Sequence, residues 1–231
     1  MTTVMNKIKL SDNTLSVLKN FSQINSNLLV KEGNQVTTLS PAKNIVSIAT
    51  VEEDFPVEFG IWDLSKLLGT ITLFDDAEFE FNEKSMSIIG SSGAKVSYYY
   101  SEPRLLTTLE KEVKVPETVV SFPLTEEVFS AVQKAAAVLQ LPDMCIRSTD
   151  DRNIEVVVLD KKTPTSNTYS IAVGENPTDT DFEFYLKIEN LKLLAGDYDV
   201  DICKSVVTKF THTSKDIFYY IALESDSTYN G

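Results

Sequence analysis

Residues 10–24, LSDNTLSVLKNFSQI, return in altered form at residues 124–138 as LTEEVFSAVQKAAAV. Each stretch begins with leucine and a hydroxyl residue, and its apolar residues then recur every three to four positions. That pattern predicts an amphipathic helix with a Ser or Thr N-cap. A shorter pair follows, DLSKLLG at 63–69 and NLKLLAG at 190–196. A long helix and a short helix that each occur twice predict a duplicated domain.

The segments between the helices alternate apolar and polar residues and predict antiparallel strands, so the expected fold class is α+β. One of these strands is expected at 70–74, after Gly69 ends the first short helix. The predicted helix bodies are 13–24, 64–68, 128–141 and 190–194.

Three prolines, Pro103, Pro116 and Pro123, fall within residues 101–123. This stretch predicts an interdomain connector that is partly extended, because proline interrupts both helices and central strands. The expected domains are therefore 1–110 and 111–231. Residues 224–231 predict a polar tail.

Composition sets the limits on the class of protein. The chain has 231 residues, of which 42% are hydrophobic, so it can bury a sizeable core. No run approaches the roughly 18 apolar residues of a membrane helix, so no membrane partner is expected. Cys145 and Cys203 stand in apolar contexts and predict buried thiols in a reducing cytosol. The net charge of −13, taken alone, argues against nucleic acid because phosphate repels carboxylate.

The distribution of charge leads to a different expectation. The four predicted helix bodies contain no Asp or Glu, and each contains one lysine. A chain of net charge −13 that keeps acids off these helices is suited to present them to a polyanion. The alternative is that short, half-buried helices avoid acids for reasons of packing. Sparse lysines predict weak phosphate contacts without sequence preference. These lysines are Lys19, Lys66, Lys134 and Lys192.

The residues of common catalytic motifs are missing. The single histidine, His212, is expected to be an exposed strand residue, and no G-x-S-x-G, Walker A, G-x-G-x-x-G or HExxH motif occurs. The acidic pairs Asp75–Asp76 and Asp199/Asp201 are interpreted as ordinary acidic turn and strand residues rather than a divalent-cation site. No catalytic residue, metal or cofactor is therefore predicted.

Four segments resemble the DNA polymerase sliding clamps of tailed bacteriophages, and the resemblance extends over essentially the whole chain. Its most specific parts are LKNFSQINS at 18–26 and the terminal segment. The four segments are LKNFSQINSNLLVKEGN (18–34), FGIWDLSKLLGTITLFDDAEF (59–79), KIENLKLLAGDYDV (187–200) and YIALESDST (220–228).

The resemblance implies a duplicated DNA-clamp fold and a homotrimeric ring of six similar domains, with helices lining the hole. Such a ring has no enzymatic activity. It encircles duplex DNA, tethers the replicative DNA polymerase and is loaded at a primer–template junction by an ATP-driven clamp loader. Related phage clamps also tether factors for late transcription. The implied location is the cytoplasm of the infected bacterial host.

The resemblance also implies two sets of site residues. Pore residues that contact phosphate would be Lys19, Lys66, Lys134 and Lys192, with Lys7, Lys9 and Lys187 nearby. The apolar pocket for polymerase and loader peptides would involve Leu105, Leu106, Leu109, Val113, Ile221 and Leu223. The alternative for the second set is that it packs the junction of the domains.

Two other classes of protein compete with this expectation. Acidic, β-rich chains also build phage particles, so a structural or assembly protein is the first alternative. The second alternative is an enzyme that acts through paired carboxylates, and the acidic turns are the only feature that supports it.

Overall fold

The computed structural model describes residues 7–111, 113–178, 180–204 and 206–231. The chain divides into two compact units, Met1–Lys111 and Glu112–Gly231. Each unit combines antiparallel strands with one long helix, which is the α+β organisation expected from the sequence.

Residues 7–111 of the first unit form two α-helices. In chain order its elements are β1 (Lys7–Lys9), α1 (Asp12–Ile24), β2 (Leu28–Val30), β3 (Gly33–Leu39), β4 (Ile45–Phe55), β5 (Phe59–Ile61), α2 (Leu64–Ile71), β6 (Glu78–Phe81), β7 (Ser85–Ile89), β8 (Lys95–Tyr99) and a 3₁₀ turn at Pro103–Leu105. Strands β1, β6, β7 and β8 pair in that order, as do β5, β2, β3 and β4, and every pairing is antiparallel. Helix α1 packs against β3, β4 and α2.

The described residues of the second unit form one α-helix. Its elements are β9 (Thr118–Leu124), α3 (Glu126–Leu139), β10 (Asp143–Ser148), β11 (Asn153–Leu159), β12 (Tyr169–Glu175), β13 (Phe182–Lys187), a 3₁₀ turn at Ile188–Asn190, β14 (Tyr198–Cys203), β15 (Val207–His212), β16 (Ile217–Ala222) and β17 (Thr228–Tyr229). One antiparallel set runs β12, β11, β10, β13, β17, and another runs β16, β15, β14, β9. Helix α3 packs on β11 and β12.

The two long helices bury the faces that the repeat predicts. In α1 the buried apolar residues are Val17, Leu18, Phe21 and Ile24. In α3 the buried set is Phe129, Val132 and Ala136, a narrower stripe of smaller residues. Both helices begin at the predicted hydroxyl N-cap: the Ser11 side chain accepts from the Thr14 amide, and the Thr125 side chain accepts from the Val128 amide.

The strand predicted at 70–74 is wrong, because α2 continues through Gly69 to Ile71. Two threonine hydroxyls support this end of the helix. Thr70 Oγ1 donates to the Lys66 carbonyl and Thr72 Oγ1 donates to the Gly69 carbonyl, each over 2.8 Å. Hydroxyls can satisfy carbonyls of the preceding turn in this way, so β-branched residues need not indicate a strand.

The predicted helix at 190–194 is also wrong, since the segment after the 3₁₀ turn at Ile188–Asn190 is not helical. Its backbone groups are occupied by side chains instead. The Leu194 amide donates to Tyr219 Oη, Tyr198 Oη donates to the Leu194 carbonyl, and Gln133 Nε2 donates to the Leu191 carbonyl. Backbone groups that already have partners gain nothing from a helical ladder.

His212 is buried at 5% exposure, which corrects the expectation of an exposed strand histidine. Its Nδ1 accepts from the Ser214 amide, and its Nε2 lies 3.2 Å from the Ala195 carbonyl. The ring also explains Gly196, which has φ +144° and whose Cβ, if present, would meet the imidazole. His212 is therefore a packing residue that holds the non-helical segment against β15.

The connector is shorter than predicted at both ends. Strand β9 takes Thr118–Leu124. Pro123 is tolerated there because β9, among the strands that the structure describes, pairs only with β14 and forms an edge. At the other end the Ser101 amide donates to the Gly60 carbonyl over 2.9 Å, which docks the chain on β5. The polar tail at 224–231 contains a short strand, since β17 pairs with β13.

Candidate nucleic-acid interface

The exposed side of α1 carries a lysine and neutral polar residues. Lys19 and Gln23 are exposed one turn apart, and Ser16 lies on the same side, half-buried. The only carboxylate in the helix is Asp12, in the first turn, where the helix dipole favours it. This surface is free of acids over its last three turns.

The exposed side of α2 is similar and shorter. Ser65, Lys66 and Gly69 are exposed, and the helix has no acid between Leu64 and Ile71. The nearest carboxylate, Asp63, is the N-cap and accepts from the Lys66 amide over 2.8 Å. Its negative charge therefore interacts with the positive end of the helix dipole.

The exposed side of α3 is the least polar of the three. Ser130, Gln133, Lys134 and Val138 are exposed, and the two acids of the helix fall in its first turn. One lysine over this length gives a weak positive field, suited to transient phosphate contact.

One carboxylate on a strand and one just before a strand accept hydrogen bonds at the starts of the two long helices. Glu53 on β4 accepts from the Ser11 amide and from Thr14 Oγ1 at the start of α1. Asp197, just before β14, accepts from the Glu126 amide over 2.7 Å at the start of α3. Negative charge at a helix N-terminus is stabilising. Some of the acids excluded from the helix bodies are therefore used to fix the helices in place, a role that no local sequence signal revealed.

The remaining predicted lysines lie in other settings. Lys7 on β1 pairs with Glu80 at 3.2 Å and Glu78 at 3.3 Å, and Lys9 pairs with Asp76 at 2.6 Å. Hydrogen bonds to Glu80 and Glu78 raise the pKa of Lys7, and the hydrogen bond to Asp76 raises that of Lys9. Phosphate would have to compete with these carboxylates.

Lys187 is half-buried on β13 and pairs with Asp143, whose side chain is almost fully buried. Breaking an ion pair with a buried carboxylate is costly, which disfavours a phosphate contact at Lys187. Lys192 is also half-buried and lies in the non-helical segment that replaces the second short helix. The structure thus places only Lys19, Lys66 and Lys134, among the seven predicted lysines, on exposed helix surfaces.

Comparison with known proteins decides the family. A family model described as "gp45 sliding clamp, C terminal" matches residues 121–225. A sliding clamp of Vibrio phage KVP40 is 32% identical over 222 residues, which cover 94% of this chain and all of the relative. The chain belongs to the family of phage sliding clamps. A sliding clamp of Enterobacteria phage T4 is 24% identical over 230 residues, covering 96% of this chain and all of the relative.

Solved structures support the same fold for this clamp. Proliferating cellular nuclear antigen from Entamoeba histolytica superposes with a TM-score of 0.69 at 11% identity, covering 94% of this chain and 97% of that one. At this identity the likeness shows the fold alone. The duplicated α+β clamp fold predicted from the sequence is confirmed.

The predicted peptide-pocket residues of the clamp differ in exposure. Leu105 is 60% exposed and Leu109 is half-buried, whereas Leu106 is buried, with a methyl group 2.8 Å from where a Gly60 Cβ would lie. In the second unit Val113 and Leu223 are half-buried. Ile221 is fully buried on the inner face of β16, so it offers no surface to a peptide.

The groups considered for chemistry have structural roles in the clamp. Burial raises the pKa of the Cys145 thiol to about 12, so it is not a nucleophile at neutral pH. Asp76 is paired with Lys9, and Asp201 accepts from Ser121 Oγ over 2.6 Å. Within the described ranges, no group of three or more potential ligands could hold a metal ion. In the same ranges, no helix has the length and apolar character needed to cross a membrane.

Trp62 is a surface residue next to the helix surfaces described above. It is the only tryptophan and is 59% exposed, immediately before the N-cap of α2. Its position before the capping motif was readable from sequence, but its exposure was not.

Proposed function

We propose that three copies of the chain close into a ring that encircles duplex DNA and tethers the replicative DNA polymerase, with no catalytic activity of its own. An ATP-dependent clamp loader opens and closes this ring at a primer–template junction in the infected bacterial cell. Family membership supports the proposal, and so does the name shared by relatives that match the chain from end to end.

The observation that carries the proposal is the charge on the three α-helices. In a chain of net charge −13, each helix exposes one lysine and holds any acid in its first turn. Three chains would carry −39, so bulk electrostatics repel DNA and only a local surface can contact it. Such a surface binds weakly, and enclosure rather than affinity retains the DNA.

The test is primer extension by the cognate polymerase on circular and linear templates, with loader and ATP. We expect long products on the circle and short products on the linear template, because an enclosing ring slides off a free end. Equal product lengths on both templates would reject the topological tether.

The three helix lysines are tested by charge reversal. Replacing Lys19, Lys66 or Lys134 singly with Glu should shorten retention on circular DNA and reduce its salt dependence, because a phosphate contact is lost. Lys162→Glu, at an exposed lysine of the 160–167 turn, is the matched control and should leave retention unchanged. An equal effect of both changes would show that net charge, rather than the helix surface, is responsible.

Leu105 and Leu109 are the connector leucines that we propose bind the partner peptide. Leu106 is left intact because it is part of the core of the first unit. Changing Leu105 and Leu109 to Asp should abolish polymerase stimulation and preserve the trimer in size-exclusion chromatography. Unchanged processivity would reject this assignment. Tethering of late-transcription factors stays a prediction of the resemblance, and the same variant tests it in a transcription assay.

The competing structural role is separated by fractionation, because a clamp is absent from purified phage particles whereas a structural protein is retained in them. An enzyme would act on a substrate without polymerase or loader.

A further inference from the structure

Trp62 lies where the two helices of the first unit meet. It follows β5 and precedes Asp63, the N-cap of α2. The Leu64 amide donates to the Ser26 carbonyl over 2.7 Å, which ties the start of α2 to the segment that leaves α1. The indole is thus held at the corner between two helices whose outer sides carry lysines.

The ordinary role of an apolar residue at this position is to pack on the residue five positions later as a hydrophobic staple. Here that residue, Leu67, is 3% exposed, yet Trp62 is 59% exposed. Packing therefore uses only part of the indole. In the second copy of the repeat the matching position is Glu189, so the tryptophan does not belong to the duplicated scaffold.

The surface around Trp62 has the composition of a contact for single-stranded DNA. Gln23, Ser26, Ser65 and Lys66 are exposed near the same corner and are neutral or basic. The adjacent acid, Asp63, is committed to capping α2. An aromatic residue four positions before a lysine, with the acid between them used as the N-cap of a helix, can stack on a base while the lysine contacts a neighbouring phosphate.

We propose that Trp62 stacks on an unpaired template base where single-stranded DNA enters the ring, and that Lys66 contacts the adjacent phosphate. The inference rests on the proposed function. Duplex DNA offers no unpaired base, so the ring slides along it, whereas a primer–template junction gains one stacking contact. Stacking of one base corresponds to about 5- to 150-fold in affinity, which favours residence at the junction.

The test uses the intact ring and two labelled DNA probes, a 20-base-pair blunt duplex and the same duplex with a ten-nucleotide oligo-dT overhang. Linear DNA can thread a closed ring without the loader. We expect the overhang probe to bind at least about fivefold more tightly than the blunt duplex and to quench the emission of Trp62, the only tryptophan. The blunt duplex should leave the emission unchanged.

Two replacements separate stacking from packing. Trp62→Phe keeps an aromatic ring and should retain most of the preference for the overhang. Trp62→Leu keeps apolar bulk and should lose it, with binding to the blunt duplex unchanged. Leu73→Ala, at an exposed apolar residue beyond the other end of α2, is the control and should behave as the unchanged chain.

Three results would overturn the inference: unchanged emission at saturating overhang probe, a preference that survives in Trp62→Leu, or equal loss in the Phe and Leu variants. These results are distinguishable from failure of the proposed function. A clamp without this contact still extends primers further on circular than on linear templates, whereas a chain that is not a clamp does not.

Discussion

Replacing Glu53 with alanine removes the carboxylate that receives two donors at the start of α1. One donor, Thr14 Oγ1, belongs to a residue with 0% exposure, and the other is the backbone amide of Ser11, which is half-buried. A hydrogen bond to a charged acceptor contributes about 1.5–3 kcal/mol, and water can replace the acceptor only for the less buried donor. We therefore expect Glu53→Ala to lower the free energy of unfolding by about 2–4 kcal/mol.

The assay is urea unfolding followed by circular dichroism at one fixed protein concentration, because assembly couples stability to concentration. The control is Glu52→Ala. Glu52 is exposed on the opposite face of β4, so its loss should change the free energy by less than about 0.5 kcal/mol. Glu53→Gln keeps one acceptor oxygen, so its loss of unfolding free energy should lie between those of Glu53→Ala and Glu52→Ala. A loss below about 0.5 kcal/mol for Glu53→Ala, or equal losses for the two alanine variants, would refute the capping role.

Three further changes test single features by urea unfolding. Gly69→Ala should stabilise α2 by about 0.5–1 kcal/mol, because a Cβ there meets nothing within 4 Å; a loss of stability would contradict the helix bounds. Gln140→Gly should also stabilise, by up to about 1 kcal/mol, since Gln140 ends α3 in the left-handed region at φ 55°. Thr208→Val should stabilise by about 1 kcal/mol, because the Thr208 hydroxyl is buried without a hydrogen-bond partner among the described residues. Thr208→Ser keeps that hydroxyl and loses a methyl group, so it should destabilise.

The long helices were predictable because every local signal agreed. Period, hydroxyl N-cap and first-turn acids all placed α1 and α3 within two residues of the observed bounds at each end. The wrong helix at 190–194 arose because distant side chains decide the backbone there. Backbone groups of the 191–194 segment form hydrogen bonds with side chains that lie outside the segment, those of Tyr198, Tyr219 and Gln133. No pattern within NLKLLAG could report those contacts.

In the candidate site, too, features set by local sequence were predictable and features set by distant residues were not. Residue type and helical position identified Lys19, Lys66 and Lys134 as exposed helix residues, because burial on a helix follows its period. The same reasoning could not foresee that Glu78 of β6 would pair with Lys7, that Asp76 just before β6 would pair with Lys9, or that Asp143 on β10 would pair with Lys187. The ion pairs of those lysines depend on which strands distant in sequence lie side by side.

The absence of the second short helix changes what the proposed ring presents to DNA. The described part of each chain has three α-helices, so three chains bring nine rather than the twelve that a perfect duplication would give. The first unit then supplies two exposed helix lysines and Trp62, and the second supplies Lys134 alone on a less polar surface. In the proposed ring, the first unit of each chain would therefore contact DNA more strongly than the second. With few charges at any one position, no register on the DNA is strongly preferred, which is the condition for sliding.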